Sequence, residues 1–306
     1  MAERVLAALN LPDKLTLIYL SLTAALLLVC RENIASWGQL LCVRAALAAV
    51  IVALAWRRER GPQVIRLLGH FYPLLLPGFF FEEIGKLVHA IFPDWRDHWL
   101  IAADQFLFGA HPTVWIEQFS GYWLTEFLQL AYTLYLPLIP AFGIYLWRRG
   151  RSAQFTGFVA GLSLTYYLNY LIFILFPIEG PHHTLAHLQQ VELSGGPFTA
   201  LIELIEKHGR VHGGAFPSNH VAGSVVVLLA AWRYTKWLGP ALTPLVLAIC
   251  VATVYGRYHY AVDVLAGTLM AALGCMLAWR REAARGQQAG LHAGQHVHQQ
   301  LEVHVL

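Results

Sequence analysis

Charge is scarce in this chain: Asp, Glu, Lys and Arg make up 13% of its 306 residues, against 57% hydrophobic, and the mean hydropathy is +0.52. That balance excludes an ordinary soluble domain and identifies an integral membrane protein. Cysteine is sparse too. Cys30, Cys42, Cys250 and Cys275 all lie in apolar runs without CxxC spacing, which argues against a disulfide framework or a thiolate zinc site. There is no Walker loop, no HExxH and no glycine-rich dinucleotide motif, and no internal repeat is evident. The net charge of +3 is too small to suggest a nucleic-acid partner.

What the chain has in abundance is apolar runs. A membrane span takes about 20 mostly apolar residues, and eight stretches qualify, near 14–30, 37–56, 64–92, 123–147, 154–176, 217–233, 240–256 and 260–279. The expected fold class is all-α, a polytopic membrane helical bundle. We divide it into two N-terminal transmembrane helices (1–63), a six-helix core (64–282) and a tail (283–306). The first run lacks a small-residue cleavage pattern and is expected to be retained as a helix. The tail carries His292, His296, His298 and His304 in a polar, glycine-containing setting and is expected to be a solvated, disordered end rather than a metal trap. The stretch 94–121 is too polar to span, and its aromatic and leucine positions recur near helical spacing, as in a helix lying in the interface.

Cytoplasmic loops carry the excess of Lys and Arg. With the N-terminus inside, the cytoplasmic side receives Arg4, Lys14, Arg57, Arg58, Arg60, Arg66, Arg148, Arg149, Arg151, Arg233, Lys236, Arg280, Arg281 and Arg285, most of the 21 basic residues. Both termini are then cytoplasmic. The start of the sixth span, the turn between the seventh and eighth, and the loop from Phe176 to Ala215 all emerge on the opposite face.

Two of those segments carry chemistry. In "YGRYHYAVDVLAG", His259 and Asp263 are four residues apart and share one helix face. A carboxylate one turn below an imidazole can fix its tautomer and leave the other nitrogen free as nucleophile or base. A helix-end ion pair explains that spacing equally well on its own. In "FPSNH", a second imidazole, His220, opens a helix whose N–H groups favour anionic oxygens. Two imidazoles, one oriented by a carboxylate, suit phosphoryl transfer without a metal or cofactor: one attacks phosphorus and the other protonates the leaving oxygen.

"AFPSNH" followed about 40 residues later by "HYAVD" resembles the signature of the type 2 phosphatidic acid phosphatase superfamily. The resemblance runs over roughly 80–275 and is greatest to the branch containing fungal inositol phosphorylceramide synthases, through "AADQFLFGAHPTVWIEQF", "YTLYLPLIP" and "FPIEGPHH" as well. It implies a site at the extracytoplasmic face, with His259 as nucleophile, Asp263 as its orienting carboxylate and His220 as general acid. Ser218 and the N–H groups around Asn219 and His220 would hold phosphate oxygens. The sequence departs from the family at Asn219, at Thr253 in an arginine's place, and in "KLVHAIFP", where Lys86 is followed by Pro93 instead of arginine. Arg257 and Lys86 are the candidates for the missing phosphate clamp, with Arg210 and His182 behind them.

Lys86 sits with Glu82, Glu83 and His89 inside an apolar span, where i,i+3 and i,i+4 neutralisation by the glutamates is expected. The reaction expected is hydrolysis of a lipid phosphate, with water as acceptor. An alcohol acceptor would make the protein a lipid phosphotransferase. Two readings from other classes stay open: an ion-coupled transporter, disfavoured because the polar residues cluster at one end, and a phospholipid-binding relative without turnover.

Overall fold

The computed structural model describes residues 6–209 and 211–280. Arg4, Arg210, Arg281, Arg285 and the histidine-bearing tail lie outside them. Among the described residues the chain is helical, with no strand. The principal helices are α1 (Leu11–Val29), α2 (Trp37–Arg57), α3 (Gln63–Leu87), α4 (Asp97–Phe108), α5 (Tyr122–Arg148), α6 (Ser152–Leu175), α7 (Pro197–Gly209), α8 (Asn219–Tyr234), α9 (Leu238–Tyr255) and α10 (Ala261–Arg280).

Seven of these, α1, α2, α3, α5, α6, α9 and α10, are long and apolar enough to cross a bilayer, so the chain is a multi-pass integral membrane protein. Of the eight expected spans, seven reach that length. The difference is α8: its 16 residues reach only about 24 Å at 1.5 Å per residue. Its start is set locally, because the chain bends at Phe216–Pro217 and the extended Ser218 caps the helix instead of joining it.

Helix α6 forms the centre and packs against α1, α3, α5 and α8. Its wide burial explains why it is apolar around its whole circumference. Close approach of α10 is possible because Gly161 and Gly274 lack side chains; a Cβ on Gly274 would fall 2.1 Å from Thr165 Oγ1. Prolines lie inside α3 (Pro73, Pro77) and α5 (Pro137, Pro140). The hydroxyl of Tyr170 donates to the carbonyl of Pro77 at 2.7 Å.

Polar groups within the bundle are paired across helices. The capping box of α1, Asn10 with Asp13, leaves the Asp13 carboxylate free to accept from Arg58 at 2.7 Å and from the Tyr72 hydroxyl at 2.8 Å. Arg58 therefore works as a packing residue as well as a loop charge. Arg44 of α2 donates to Glu83 of α3 at 3.1 Å, with both side chains almost wholly buried. Glu83 thus takes its ion-pair partner from α2, with Lys86 acting on it only at longer range. Arg44 lies across the packed α2–α3 seam, whereas Glu82 and Lys86 are exposed.

Two segments of the loops are helical. The interfacial helix expected within 94–121 is α4, followed by a short turn, Pro112–Trp115, and a 3-10 turn, Ile116–Phe119. Its Trp99, Phe106 and Phe108 face outward while Asp97 and Asp104 are buried, the inverse of a soluble amphipathic helix. In the Phe176–Ala215 loop, α7 was not anticipated, although Phe198, Leu201, Ile202 and Ile205 recur at helical spacing.

Removing one member of the buried Arg44–Glu83 pair leaves the other charge uncompensated. Glu83→Ala should cost roughly 3–5 kcal/mol, while Arg44→Met combined with Glu83→Leu should restore most of it. Thermal unfolding of the three proteins in detergent checks this, and a double variant no better than the single would refute it.

Candidate active site

Three remote segments meet at one end of the bundle around a cavity of about 330 Å³. The bend at Phe216–Pro217 leads into a cap for α8: Ser218 Oγ accepts from the Val221 N–H at 3.3 Å. The Ser218 N–H in turn donates to the backbone carbonyl of Asp263 at 3.2 Å, tying the start of α8 to the start of α10. Gly267, one turn along α10, makes room for this: a Cβ there would stand 2.6 Å from the Ser218 carbonyl.

The turn between α9 and α10 is equally constrained. The Thr253 carbonyl accepts from both the Tyr258 and the His259 N–H, at 3.0 and 3.1 Å. His259 Nδ1 then stands 3.3 Å from Asp263 Oδ2, which also accepts from the Tyr260 N–H at 2.9 Å. His259 Nε2 faces His220 Nδ1 at 3.4 Å, and the Tyr132 hydroxyl lies 2.9 Å from His220 Nε2. Tyr132 also stacks on Tyr258, and Tyr135 packs against the His220 ring, so aromatic faces fix the imidazole from two sides.

Electrostatically the pocket suits a neutral nucleophile. Burial holds the His259 imidazole down at about 4, opposed by a hydrogen bond with the Ala215 backbone. At neutral pH its Nε2 can therefore carry a lone pair towards the cavity.

Of the residues singled out in the sequence, His220, His259 and Asn219 line the cavity, and Asp263 backs His259 from full burial. Asn219 Oδ1 accepts from Asn169 Nδ2 at 2.8 Å, which orients the side chain. The others fall elsewhere. Ser218 is fully buried with its hydroxyl engaged in capping, and it does not line the cavity. Arg257, at φ 64°, turns its guanidinium to Glu117 at 2.8 Å and to the Val191 carbonyl, away from the histidines. Lys86 is exposed in the last turn of α3 and does not line the cavity either. His182 does line it, whereas Arg210 lies outside the described residues.

Sequence reasoning missed the carboxylates that hold the site together. Asp104 accepts from the Ala261 and Val262 N–H groups at 3.1 and 2.8 Å, capping α10 from outside the helix. Burial pushes its carboxyl above the usual range, and those two N–H bonds pull it back. Asp97 accepts from the Glu179 and Gly180 N–H groups and from the Tyr260 hydroxyl, all within 2.9 Å. The available signal was four-residue logic: Asp97, Leu100, Ile101 and Asp104 share one face of α4.

The fold and site define a helical membrane protein with a carboxylate-backed histidine pair at the end of a cavity. Residues 98–277 match the PAP2 superfamily, and the chain belongs to it. A PA-phosphatase related-family protein of Dictyostelium discoideum is 29% identical over 182 residues, covering 53% of this chain and 33% of that protein. The chain thus spans about a third of that relative's length. No solved structure matches.

Two outcomes follow from this geometry. Asp104→Ala should destabilise the protein by about 1 kcal/mol, the typical loss of a helix cap, seen as a lower thermal midpoint. Stability should also depend on His259. Its folded value of about 4 lies below the ordinary 6.5, so the unfolded chain binds the extra proton first. The contribution is complete above about pH 6.5 and is lost as pH falls towards 4. His259→Asn, which leaves the facing Asp263 and the second imidazole, His220, in place, should lessen the loss of stability in unfolding midpoints measured from pH 4 to 7; an unchanged profile would assign the dependence to other groups.

Proposed function

We propose that the protein is a lipid phosphate phosphatase of the extracytoplasmic membrane face, working through a phosphohistidine. The observation that carries this is the juxtaposition of His220 and His259, 3.4 Å apart, with Asp263 behind the second, at the end of a cavity walled by Pro77, Phe81, Leu136, Ile202 and Ile205. A polar end bearing two imidazoles beside an apolar wall fits a molecule with a phosphate head and a hydrocarbon body.

His259 Nε2 attacks phosphorus and forms an N–P bond as the bond from phosphorus to the lipid oxygen breaks. His220, charged in the complex by the bound phosphate anion beside it, gives its proton to that oxygen, releasing the lipid alcohol. Water then attacks phosphorus, His220 accepts a proton from it, and the N–P bond breaks to give phosphate and free His259. Asp263 holds the Nδ1 proton, so that Nε2 is the attacking atom, and stabilises the charge on the ring in the intermediate. Phosphate oxygens would meet the first-turn N–H groups of Asn219 and His220, which have no carbonyl one turn earlier within the helix. No step requires a metal.

A phosphotransferase passing a phospho-headgroup, such as inositol phosphate, to a second lipid uses the same first half-reaction with an alcohol replacing water. The sequence resemblance to the inositol phosphorylceramide synthase branch favours it. The basic ends of α2, α5, α8 and α10, opposite the cavity, support an extracytoplasmic site with cytoplasmic termini, an arrangement in which the shorter α8 also crosses and makes the number of crossings even.

Purified protein should release phosphate from at least one of phosphatidic acid, phosphatidylglycerol phosphate, a prenyl diphosphate or a sphingolipid phosphate, with kcat retained in chelator. His259→Ala should abolish release and Asp263→Asn slow it roughly 10³- to 10⁴-fold. If His259→Ala retains activity, the nucleophile is misassigned. If the wild type releases nothing but exchanges headgroups with an added alcohol acceptor, the transferase is the enzyme.

A further inference from the structure

At the mouth of the same cavity stand three side chains that the chemistry above leaves unused: Glu179, His183 and His212. One ligand atom from each, a carboxylate oxygen and two imidazole nitrogens, lies within 4.8 Å of the others. The His183 and His212 rings face each other at 5.4 Å with planes 33° apart. We propose that Glu179, His183 and His212 form a divalent transition-metal site of the zinc class, opening on the cavity.

The donor chemistry selects the metal. Two imidazoles and one carboxylate suit zinc, whereas magnesium and calcium take oxygen shells. Three protein ligands leave a fourth, tetrahedral position for water or a substrate oxygen. Zinc held at about 2.0–2.1 Å from each donor brings the donors to roughly 3.4 Å from one another. Closing from 4.8 Å takes about an ångström of side-chain rotation, which the exposed His183 and His212 can make.

The backbone carrying two of the ligands is already fixed. Asp97 holds the Glu179 and Gly180 N–H groups at 2.9 and 2.8 Å, and the Thr184 hydroxyl bonds the Tyr260 hydroxyl at 2.5 Å. Glu179 and His183 thus stand on one rigid turn, four residues apart, as a pre-organised pair.

Charge gives the site a purpose, one that rests on the phosphate reading above. Among the described residues no lysine or arginine lines the cavity, while Glu179 does. A carboxylate-bearing mouth repels an anionic headgroup, and a bound dication reverses that sign. The cation would then act in headgroup binding, so stripping it should raise KM while kcat holds.

The test uses the full-length, untagged protein in detergent, stripped with chelator and titrated with cobalt(II) as the spectroscopic probe and with zinc in competition. Because His292, His296, His298 and His304 offer rival donors, the titration is repeated with all four changed to alanine. One equivalent of cobalt giving visible tetrahedral-type absorption, surviving the tail substitutions, is expected. His183→Ala and His212→Ala should each abolish it, and Glu179→Gln should weaken cobalt affinity at least tenfold, with gel-filtration profiles and melting midpoints of the cobalt-free variants unchanged. Absence of uptake at micromolar cobalt, loss with the tail histidines, or a spectrum indifferent to His183→Ala and His212→Ala would overturn the site. The readout is metal occupancy, so a negative result leaves phosphate release by His259 standing. Failure of phosphate release would likewise leave a measured metal site intact.

Discussion

The hydrogen bond from the Ser218 N–H to the Asp263 carbonyl is the constraint on which the site depends. It joins two helix starts separated by more than forty residues, and each start carries one imidazole. An apolar bundle has no water to satisfy backbone groups at such a junction, so the N–H and carbonyl at the two starts must find each other or another protein partner. Here they do, and the distance between His220 and His259 is thereby fixed by backbone.

Around that joint the protein repeatedly uses a carboxylate to grip backbone N–H groups. Asp104 takes the first turn of α10, Asp97 takes the Glu179–Gly180 peptide pair, and Glu126 takes Phe198 and Thr199 at the start of α7. Glu117 adds Gln190 and the Arg257 guanidinium. A buried carboxylate is costly alone, and two converging N–H donors offset that cost while fixing the peptide's orientation. The Phe176–Ala215 loop is therefore held over the cavity by α4, α5 and the turn between them. Arg257 belongs to this scaffold, which is why an arginine two residues from His259 does not reach the cavity.

Much of the architecture was legible in the sequence. Seven spans lie within a few residues of their expected limits because apolar length is a local property. The pairing of His259 with Asp263 was legible for the same reason: four residues on a helix fix a common face. Lys86 and Arg257 do not line the cavity, because sequence proximity to the motifs says nothing about where a long cationic side chain finds its carboxylate. For Arg257 that partner is 140 residues away, and for Glu83 it is Arg44, on another helix. Ser218 caps α8, because a serine before a helix can bind either its own N–H groups or an anion.

By itself, the sequence determined that this is a helical membrane protein, where its apolar helices fall, and that His259 and Asp263 share one helix face, since composition, period and spacing act within a few turns of chain. The tertiary structure alone decided that the two imidazoles face each other at 3.4 Å, that α4 points its carboxylates inward, and that Glu179, His183 and His212 converge at the cavity mouth. Those outcomes rest on pairings between groups on different helices and loops. In an apolar bundle such pairings follow from the need of every buried polar group for a partner, and the nearest partner in space need not be near in sequence.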